Sequence, residues 1–373
     1  MGQRRFKVLG GQSFFGELVY ERAVPPEHFL RQLEALVDWA AFTEVLIQLY
    51  RGAGEVGRPP YAPGVILKML VLAYLYNLSE RQTEQFVNDS LSAKCFMGLA
   101  VDERGPDHST LTAFKRRIIA GGGEERLRQL LEEVVRQARE RGVSFGAIQV
   151  VDSTHTIADV NVQKDDKRQE RDGKPPRDGD ARWGVKHSRR VRDGRGEVVE
   201  QREYFYGYKA HTSMNAEAEI ITSVVVTAGN ATDGEQFIRL VERDRAQGVL
   251  AQTYAGDRGY DDGDNHYYLE CHGLHSALKL KRQRTEKRDR NKQVWWELQA
   301  SPEYKAGLGE RYKMERKYGE AKARHGLGRC RYLGRLRYAI QVYLTVLVLN
   351  LKRMVRLLSG VAFGGQARRA AAA

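Results

Sequence analysis

From residue 26 to about 141, apolar residues recur at intervals of three to four, in PEHFLRQLEALVDWAAFTEVLIQLY, VILKMLVLAYLYNL and ERLRQLLEEVVRQARE. Almost no alternating run interrupts them, so the stretch reads as helical throughout. Ser79 with Gln82 has capping-box spacing, and Ser109 before a Thr-Leu-Thr-Ala-Phe run marks a second helix start. Residues 1–24 read as an extended or loosely held arm. The period changes after residue 144. Residues 147–151 are short, apolar and β-branched, and read as a buried strand ending at Asp152. Residues 204–213 and 220–227 alternate as antiparallel strands do, around a turn at 215–219. Shorter strands are expected at 252–255, ending in Gly256-Asp257, and at 276–280. Helices are expected over 233–245, with Asp233 and Gln236 as its capping box, and over 265–271, 310–326 and 338–358. Residues 163–202 are crowded with charge, Gly and Pro and read as a long loop that orders on a partner. Residues 359–373 read as a disordered tail. The pattern gives an α/β class, with an all-α domain at 25–141 ahead of a mixed sheet at 145–358.

Charge narrows the partners. The formal net charge of +13 and a pI near 9.6 favour a polyanion, either nucleic acid or an acidic membrane surface, over a small neutral substrate. A hydrophobic content of 42% argues against wholesale disorder. Cys95, Cys271 and Cys330 lie far apart without zinc-site spacing and suit a reducing compartment. No secretory leader is visible, and the longest apolar run, 342–349, is too short to span a bilayer. A cytoplasmic location with no membrane partner is expected. Lys115, Arg116 and Arg117 make one helix tail basic. It could dock in a DNA groove as part of a helix-turn-helix, or form the solvated edge of a structural bundle.

The candidate chemistry lies in the second half. Arg311, Glu315 and Lys322 are spaced to share one helix face. The plain alternative is a surface helix with an Arg-Glu pair contributing about 0.3 to 0.5 kcal/mol. Asp152 and Asp257 stand at strand ends, where open α/β sheets gather ligands. If their strands are parallel neighbours, three carboxylates meet. Such a cluster calls for two hard divalent cations, Mg²⁺ with Mn²⁺ as substitute, roughly 4 Å apart and suited to in-line phosphoryl transfer without a side-chain nucleophile. Asp152 alone could equally be a strand-ending cap. Asp159 is expected on the opposite face, Asp233 in a helix cap, and Asp261, Asp262 and Asp264 in a turn. His155, His187, His211 and His266 form no triad that spacing can defend. Trp295 and Trp296 either stack on a base or pack in the core.

These residues resemble a known family. In bacterial insertion-sequence transposases of the DDE type, an Arg precedes the catalytic Glu by four and a Lys follows it by seven, as Arg311, Glu315 and Lys322 do here. Asp257, Gly259 and Tyr260 match that family's Asp-x-Gly-Tyr/Phe motif, and Asp152 in VVDSTHTIADV matches its first acid. The stretch from Asp178 through Gly207-Tyr208-Lys209, the run GRPPYAPGVILKML and PDHSTLTAFKRRI extend the likeness over roughly 25–355. One departure is Leu308, where the family has Tyr; Tyr304 and Tyr312 are near but out of register. The resemblance implies an RNase H-like core with Asp152, Asp257 and Glu315 as catalytic, metal-binding acids. It implies a homodimer that cleaves double-stranded DNA at terminal inverted repeats and joins the 3′-hydroxyls to target DNA. Arg311 and Lys322 would contact phosphate, with Lys209 on the DNA and the helical domain at the element ends. A DNA-binding repressor without chemistry, and an RNase H-like nuclease without strand transfer, are the rival readings.

Overall fold

The computed structural model describes residues 6–11, 14–50, 59–192, 198–285 and 291–364. The chain forms two compact units, 1–143 with 343–373, and 144–342. The last helix, Arg335–Ser359, begins in the second and ends in the first.

The first unit is helical. Its helix Pro63–Leu75 is apolar on nearly every face and correspondingly buried, with Pro63 in the first turn, where a missing N–H costs nothing. Lys68 on this helix is buried as well. Its ammonium pairs with Glu34 at 2.7 Å and lies 5.4 Å from the Trp39 ring and 5.5 Å from Phe96, so its charge is met inside the bundle. The helix Glu124–Glu140 buries Leu127, Leu130, Leu131, Val134 and Val135 along one stripe, as its periodicity predicts. Ser79 and Gln82 form the expected capping box on Glu80–Asp89. Three expectations are corrected here. The arm at 1–24 contains the helix Phe14–Ala23, held because Tyr20 and Val24 are buried and the Tyr20 hydroxyl donates to Leu99 O at 2.9 Å. Ser109 is not a cap. Asp107 caps His108–Ala120 by accepting from Thr110 N, and Ser109 Oγ donates to Asp107. The tail at 359–373 is ordered through Gly364, because the Phe363 ring packs 5.2 Å from both Phe29 and Tyr76; the remainder of that stretch lies outside the described residues.

The second unit is built on one mixed sheet of β1 (Ile148–Ile157), β2 (Arg182–Arg192), β3 (Val198–Asn215), β4 (Ile221–Ala228), β5 (Thr253–Gly256) and β6 (His275–Leu278). The order is β2-β3-β1-β5-β6, with β4 also paired to β3. β3 is antiparallel to β1, β2 and β4, while β1 is parallel to β5 and β5 to β6. A central strand flanked by an antiparallel neighbour on one side and a parallel one on the other is the RNase H-like arrangement. One face is covered by the helix Gly234–Ala246, whose Phe237, Leu240 and Val241 pack with Val151, Val225, Tyr254 and Tyr260. The other is covered by the helices Pro302–Glu310 and Tyr312–His325 and the start of the last helix, where Tyr338 stacks on Tyr208 at 4.8 Å.

Beneath Gly234–Ala246, fully buried Asp244 accepts from Ser213 Oγ and Thr222 Oγ1 at 2.6 Å each, from Gln149 Nε2 at 3.1 Å and from Ser223 Oγ. Its donors come from β1, β3 and β4, so one carboxylate ties three strands to the helix. Burial pushes the Asp244 carboxyl above its ordinary pKa, and these hydrogen bonds pull against that rise.

Two further expectations change. The charged segment 163–202 is not one loop. It contains the helix Val162–Asp172, capped by Asn161 and ended by left-handed Gly173, and then the β2–β3 ribbon. Backbone pairing satisfies the ribbon without a core of its own, which composition alone misses. Asp152 does not end its strand either, since β1 runs on to Ile157; what ends beside it is β5. No helix among the described residues is long and apolar enough to cross a membrane.

Gly307 is where a helix touches the sheet. A Cβ there would lie 2.4 Å from Ala277 Cβ and 3.3 Å from Ala255 Cβ, whereas Gly309 on the same helix faces open space. Gly307→Ala is expected to lower the stability of the full chain by about 1 to 3 kcal/mol through overpacking. Gly309→Ala is expected to raise it by about 0.5 to 1 kcal/mol. Chemical denaturation of both variants checks the pair, and Ala277→Gly should recover part of the Gly307→Ala loss.

Candidate active site

The β1–β5 register pairs Ile148 with Thr253, Gln149 with Tyr254 and Val150 with Ala255. Carried two residues further, it brings Asp152 opposite Asp257. β5 has ended there, and the chain turns through Arg258–Tyr260, with Asp257 accepting the Gly259 N–H at 2.8 Å. Asp152 Oδ1 accepts the Ser153 N–H at 2.8 Å. Burial first, and then the Asp257 charge, push the Asp152 carboxyl up to about 7; the Ser153 N–H and the Arg311 guanidinium oppose the shift, and Asp233 adds to it.

Asp233 was expected to cap a helix. Its side chain makes no cap bond on Gly234–Ala246 and is turned to the site instead. It accepts from Lys209 Nζ at 3.0 Å, and a Cβ on Gly259 would lie 2.9 Å from Asp257 Oδ1 and 3.2 Å from Asp233 Oδ2. The two carboxylates therefore face each other across the glycine. His211, fully buried, bonds Thr227 Oγ1 through Nε2 and aims an unpartnered Nδ1 at Asp233, 3.5 Å away; burial holds its pKa down at about 4. The signal for Asp233 was present in the sequence. It follows the end of β4, which runs in the same direction as β1, so it meets the same positional rule that picked out Asp152 and Asp257.

The helix expected over 310–326 is Tyr312–His325, and a further helix, Pro302–Glu310, precedes it with Arg311 at the joint. Arg311 keeps helical angles, φ −60 and ψ −34, so the shared face survives the break. Its Nε is buried without a hydrogen-bond partner. On Tyr312–His325, Met314 and Tyr318 turn to the sheet, and the Tyr318 hydroxyl meets Thr212 Oγ1 and donates to Asp152 O, both at 2.7 Å. Lys322, one turn on, is half-buried; burial and the charge of Lys186 push its pKa down, while Asp152 pulls it up.

Glu315 is not drawn in with the two aspartates. Its side chain is exposed, and no triple of His, Cys, Asp or Glu among the described residues has the spacing of a metal site. The donor chemistry of Asp152 and Asp257 nevertheless fits a hard divalent cation. The ligands are all oxygen, and two adjoining carboxylates repel each other until a cation screens them. Tyr304 does not replace the Tyr absent at Leu308, since it is buried with its hydroxyl accepting the Leu280 N–H at 3.2 Å. Tyr312 is exposed to solvent.

The basic residues divide. Lys115 is buried and paired with Glu80, so its charge is used inside the first unit, while Arg116 and Arg117 stay exposed, Arg117 lying 4.6 Å from the Tyr50 ring. Lys209 is committed to Asp233 and Ala231 O. His266, for which spacing defended no triad, links Ser276 Oγ to Asp261 Oδ1 at 2.9 Å each. This chain is structural. Ser276 is buried in β6, and Asp261 also holds Arg284 Nε at 2.7 Å and the Lys281 N–H at 2.6 Å. Trp295 packs between the same Arg284, at 4.4 Å, and His266, at 5.0 Å, which is the packing role of the two expected; Trp296 is 45% exposed.

Residues 145–351, more than half of the chain, match the family described as transposase DDE domain, and 18–117 match the transposase domain DUF772. Two solved structures are similar. One is the cryo-EM structure of the piggyBac transposase synaptic complex with hairpin DNA, 8% identical over 92% of this chain and 80% of that one, with a TM-score of 0.32. The other is the crystal structure of the Mos1 mariner paired end complex with Mn, 12% identical over 78% and 87%, with a TM-score of 0.20. Likenesses this loose say nothing about the chemistry of the site.

An acid with a raised folded-state pKa binds more protons folded than unfolded, so its contribution to stability falls as pH climbs from its ordinary 3.8 through about 7. With divalent ions chelated, Asp152→Asn removes that loss. The variant should gain on the parent by about 1 to 2 kcal/mol between pH 5 and 8, allowing for solvent on the open side of the group. Denaturation curves at the two pH values measure the difference, and an unchanged gap would show that Asp152 titrates normally.

Proposed function

Because this chain belongs to the transposase DDE-domain family, we propose that it cleaves DNA at the ends of a mobile element and transfers the freed 3′-hydroxyls into target DNA. The observation that carries the reading is the meeting of Asp152 and Asp257 beside the unpartnered Nε of Arg311. Paired carboxylates repel a phosphodiester. They make sense next to one only when a cation lies between, with a guanidinium donor left over for a phosphate oxygen.

Asp152 and Asp257 would hold Mg²⁺ or Mn²⁺, with Glu315 as the third carboxylate of the set. The bound metal would supply activation of water or a 3′-hydroxyl and stabilise the leaving oxygen. The chain itself does the positioning. The register of β1 and β5 fixes the spacing of the two aspartates. Tyr318 holds the Asp152 carbonyl, and with it the strand, against the helix that carries Glu315. Arg311 and Lys322 flank that face and would grip the phosphates on either side of the scissile bond. Asp233 keeps Lys209 beside the acids, where its charge offsets part of their repulsion. Two ends must be joined and each needs a set of acids, which suits a homodimer, and the formal charge of +13 suits a double-stranded DNA partner.

Asp152→Asn, Asp257→Asn and Glu315→Gln should each abolish Mg²⁺-dependent cleavage of DNA carrying the element ends, while gel-shift affinity stays within about a factor of three. Retained cleavage in any one of them removes that residue from the site. A parent protein that binds but never cleaves or joins strands supports the repressor reading. Arg311→Ala and Lys322→Ala should weaken binding and lower the slope of log affinity against log salt by about 1 each.

A further inference from the structure

Asp233 stands at the acid end of the sheet without the local task its position suggests. An aspartate at a helix N-cap ordinarily accepts an N–H of the first turn, and Asp233 makes no such bond on Gly234–Ala246. Its two oxygens are divided instead. Oδ1 accepts from Lys209 Nζ at 3.0 Å and is faced by His211 Nδ1 at 3.5 Å. Oδ2 accepts no hydrogen bond among the described residues, and it is the oxygen turned toward Asp257.

The loops that carry these two acids are clamped together. Asn265, buried on the helix Gly263–Cys271, donates from Nδ2 to Gly234 O at 3.1 Å and to Tyr260 O at 3.0 Å. Two glycines let the backbones close. A Cβ on Gly234 would lie 3.2 Å from Gly259 O, and one on Gly259 would crowd Asp257 Oδ1 at 2.9 Å and Asp233 Oδ2 at 3.2 Å. A residue without a side chain at 259 is what leaves the carboxylates facing each other.

That approach is unfavourable by itself, and the Asp233 charge adds to the upward push on the Asp152 carboxyl. Tethering Lys209 uses Oδ1 alone and gives no reason to aim Oδ2 at another anion. A shared cation does. His211 adds a second sign. It is wholly buried, its Nδ1 has no hydrogen-bond partner, and with Lys209 it stands behind Asp233 as the outer groups that orient a metal-ligating carboxylate do.

We propose that Asp233 is a further metal ligand of the cleavage site, sharing with Asp257 a divalent cation separate from the one that Asp257 shares with Asp152. Asp257, between the other two, would then serve both ions. Two carboxylates suffice for a hard cation that keeps several of its waters. The assignment rests on the metal-dependent reading of this site and adds to it a residue outside the expected acids.

The test titrates Mn²⁺ alone into the full chain and counts bound ions from the loss of the free-ion EPR signal. The parent should take up two ions per chain. Asp233→Asn, whose amide oxygen still accepts from Lys209, should lose one of them or bind it about tenfold or more weakly. Gly259→Ala, which puts a methyl group between the two oxygens, should lose the same ion. Lys209→Met removes the competing ammonium and should keep both, the second bound at least as tightly. Thermal melting without metal checks that the variants fold, and the two substitutions on separate loops let either one decide if the other does not. A second ion that survives in both Asp233→Asn and Gly259→Ala, or a parent that holds one ion only, overturns the proposal. Equal losses in Asp233→Asn and Lys209→Met overturn it too, since Asp233 would then serve only as the tether of Lys209. If Asp152→Asn and Asp257→Asn lower Mn²⁺ binding and Asp233→Asn does not, only this assignment fails; if the parent binds no Mn²⁺, the metal-dependent reading fails and takes this one with it.

Discussion

Repulsion between two carboxylates that the backbone forces together governs the second unit. Neither Asp152 nor Asp257 can withdraw, because the parallel pairing of β1 with β5 sets their separation and the ladder cannot slip by one residue without turning every buried side chain outward. The surrounding structure offsets this unfavourable contact. Backbone N–H groups of Ser153 and Gly259 each bond one carboxylate, and the Arg311 charge opposes the upward shift of Asp152. What protein groups do not neutralise is the opening for a cation and a phosphate.

The same arrangement explains why an apolar sheet carries so polar an edge. β1, β4 and β5 run in one direction, so Asp152 within β1, Asp257 just past β5 and the aspartate five residues past the end of β4 are carried toward the same end of the sheet. Asp152, Asp233 and Asp257 are those residues. Their convergence follows from topology, not from proximity in the chain, and it brings Lys209, His211 and the Arg311 joint along as neighbours.

Much of this was readable from residue patterns. The strands expected at 147–151, 204–213, 220–227, 252–255 and 276–280 from alternation and β-branching fall within or against β1, β3, β4, β5 and β6, though β1 runs on to Ile157 and β3 starts at Val198, and the helices before residue 141 follow from a period close to 3.6. Asp152 and Asp257 could be paired in advance because parallel strands put their ends side by side. The misreadings share a cause. Asp233 looked like a cap because capping is a local pattern, while the pull of Lys209 and its placement across from Asp257 come from distant parts of the chain. Residues 163–202 looked like a loop because composition predicts burial, and a two-stranded ribbon closes its hydrogen bonds without burying much. Lys115 looked available to DNA because its partner Glu80 lies on another helix. For Glu315, spacing placed it on a helix face with Arg311 and Lys322, but not that its side chain lies in solvent.

Asp244 has a reach that its depth conceals. Hydroxyls from two strands and the Gln149 amide from a third hold it near the last turn of the helix whose N-cap is Asp233, about 16 Å away along the axis. The hydrogen bonds at Asp244 thus fix where one end of that helix rests on the sheet, while Phe237, Leu240 and Val241 seat the middle, so the backbone position of Asp233 is set by packing well away from the acids.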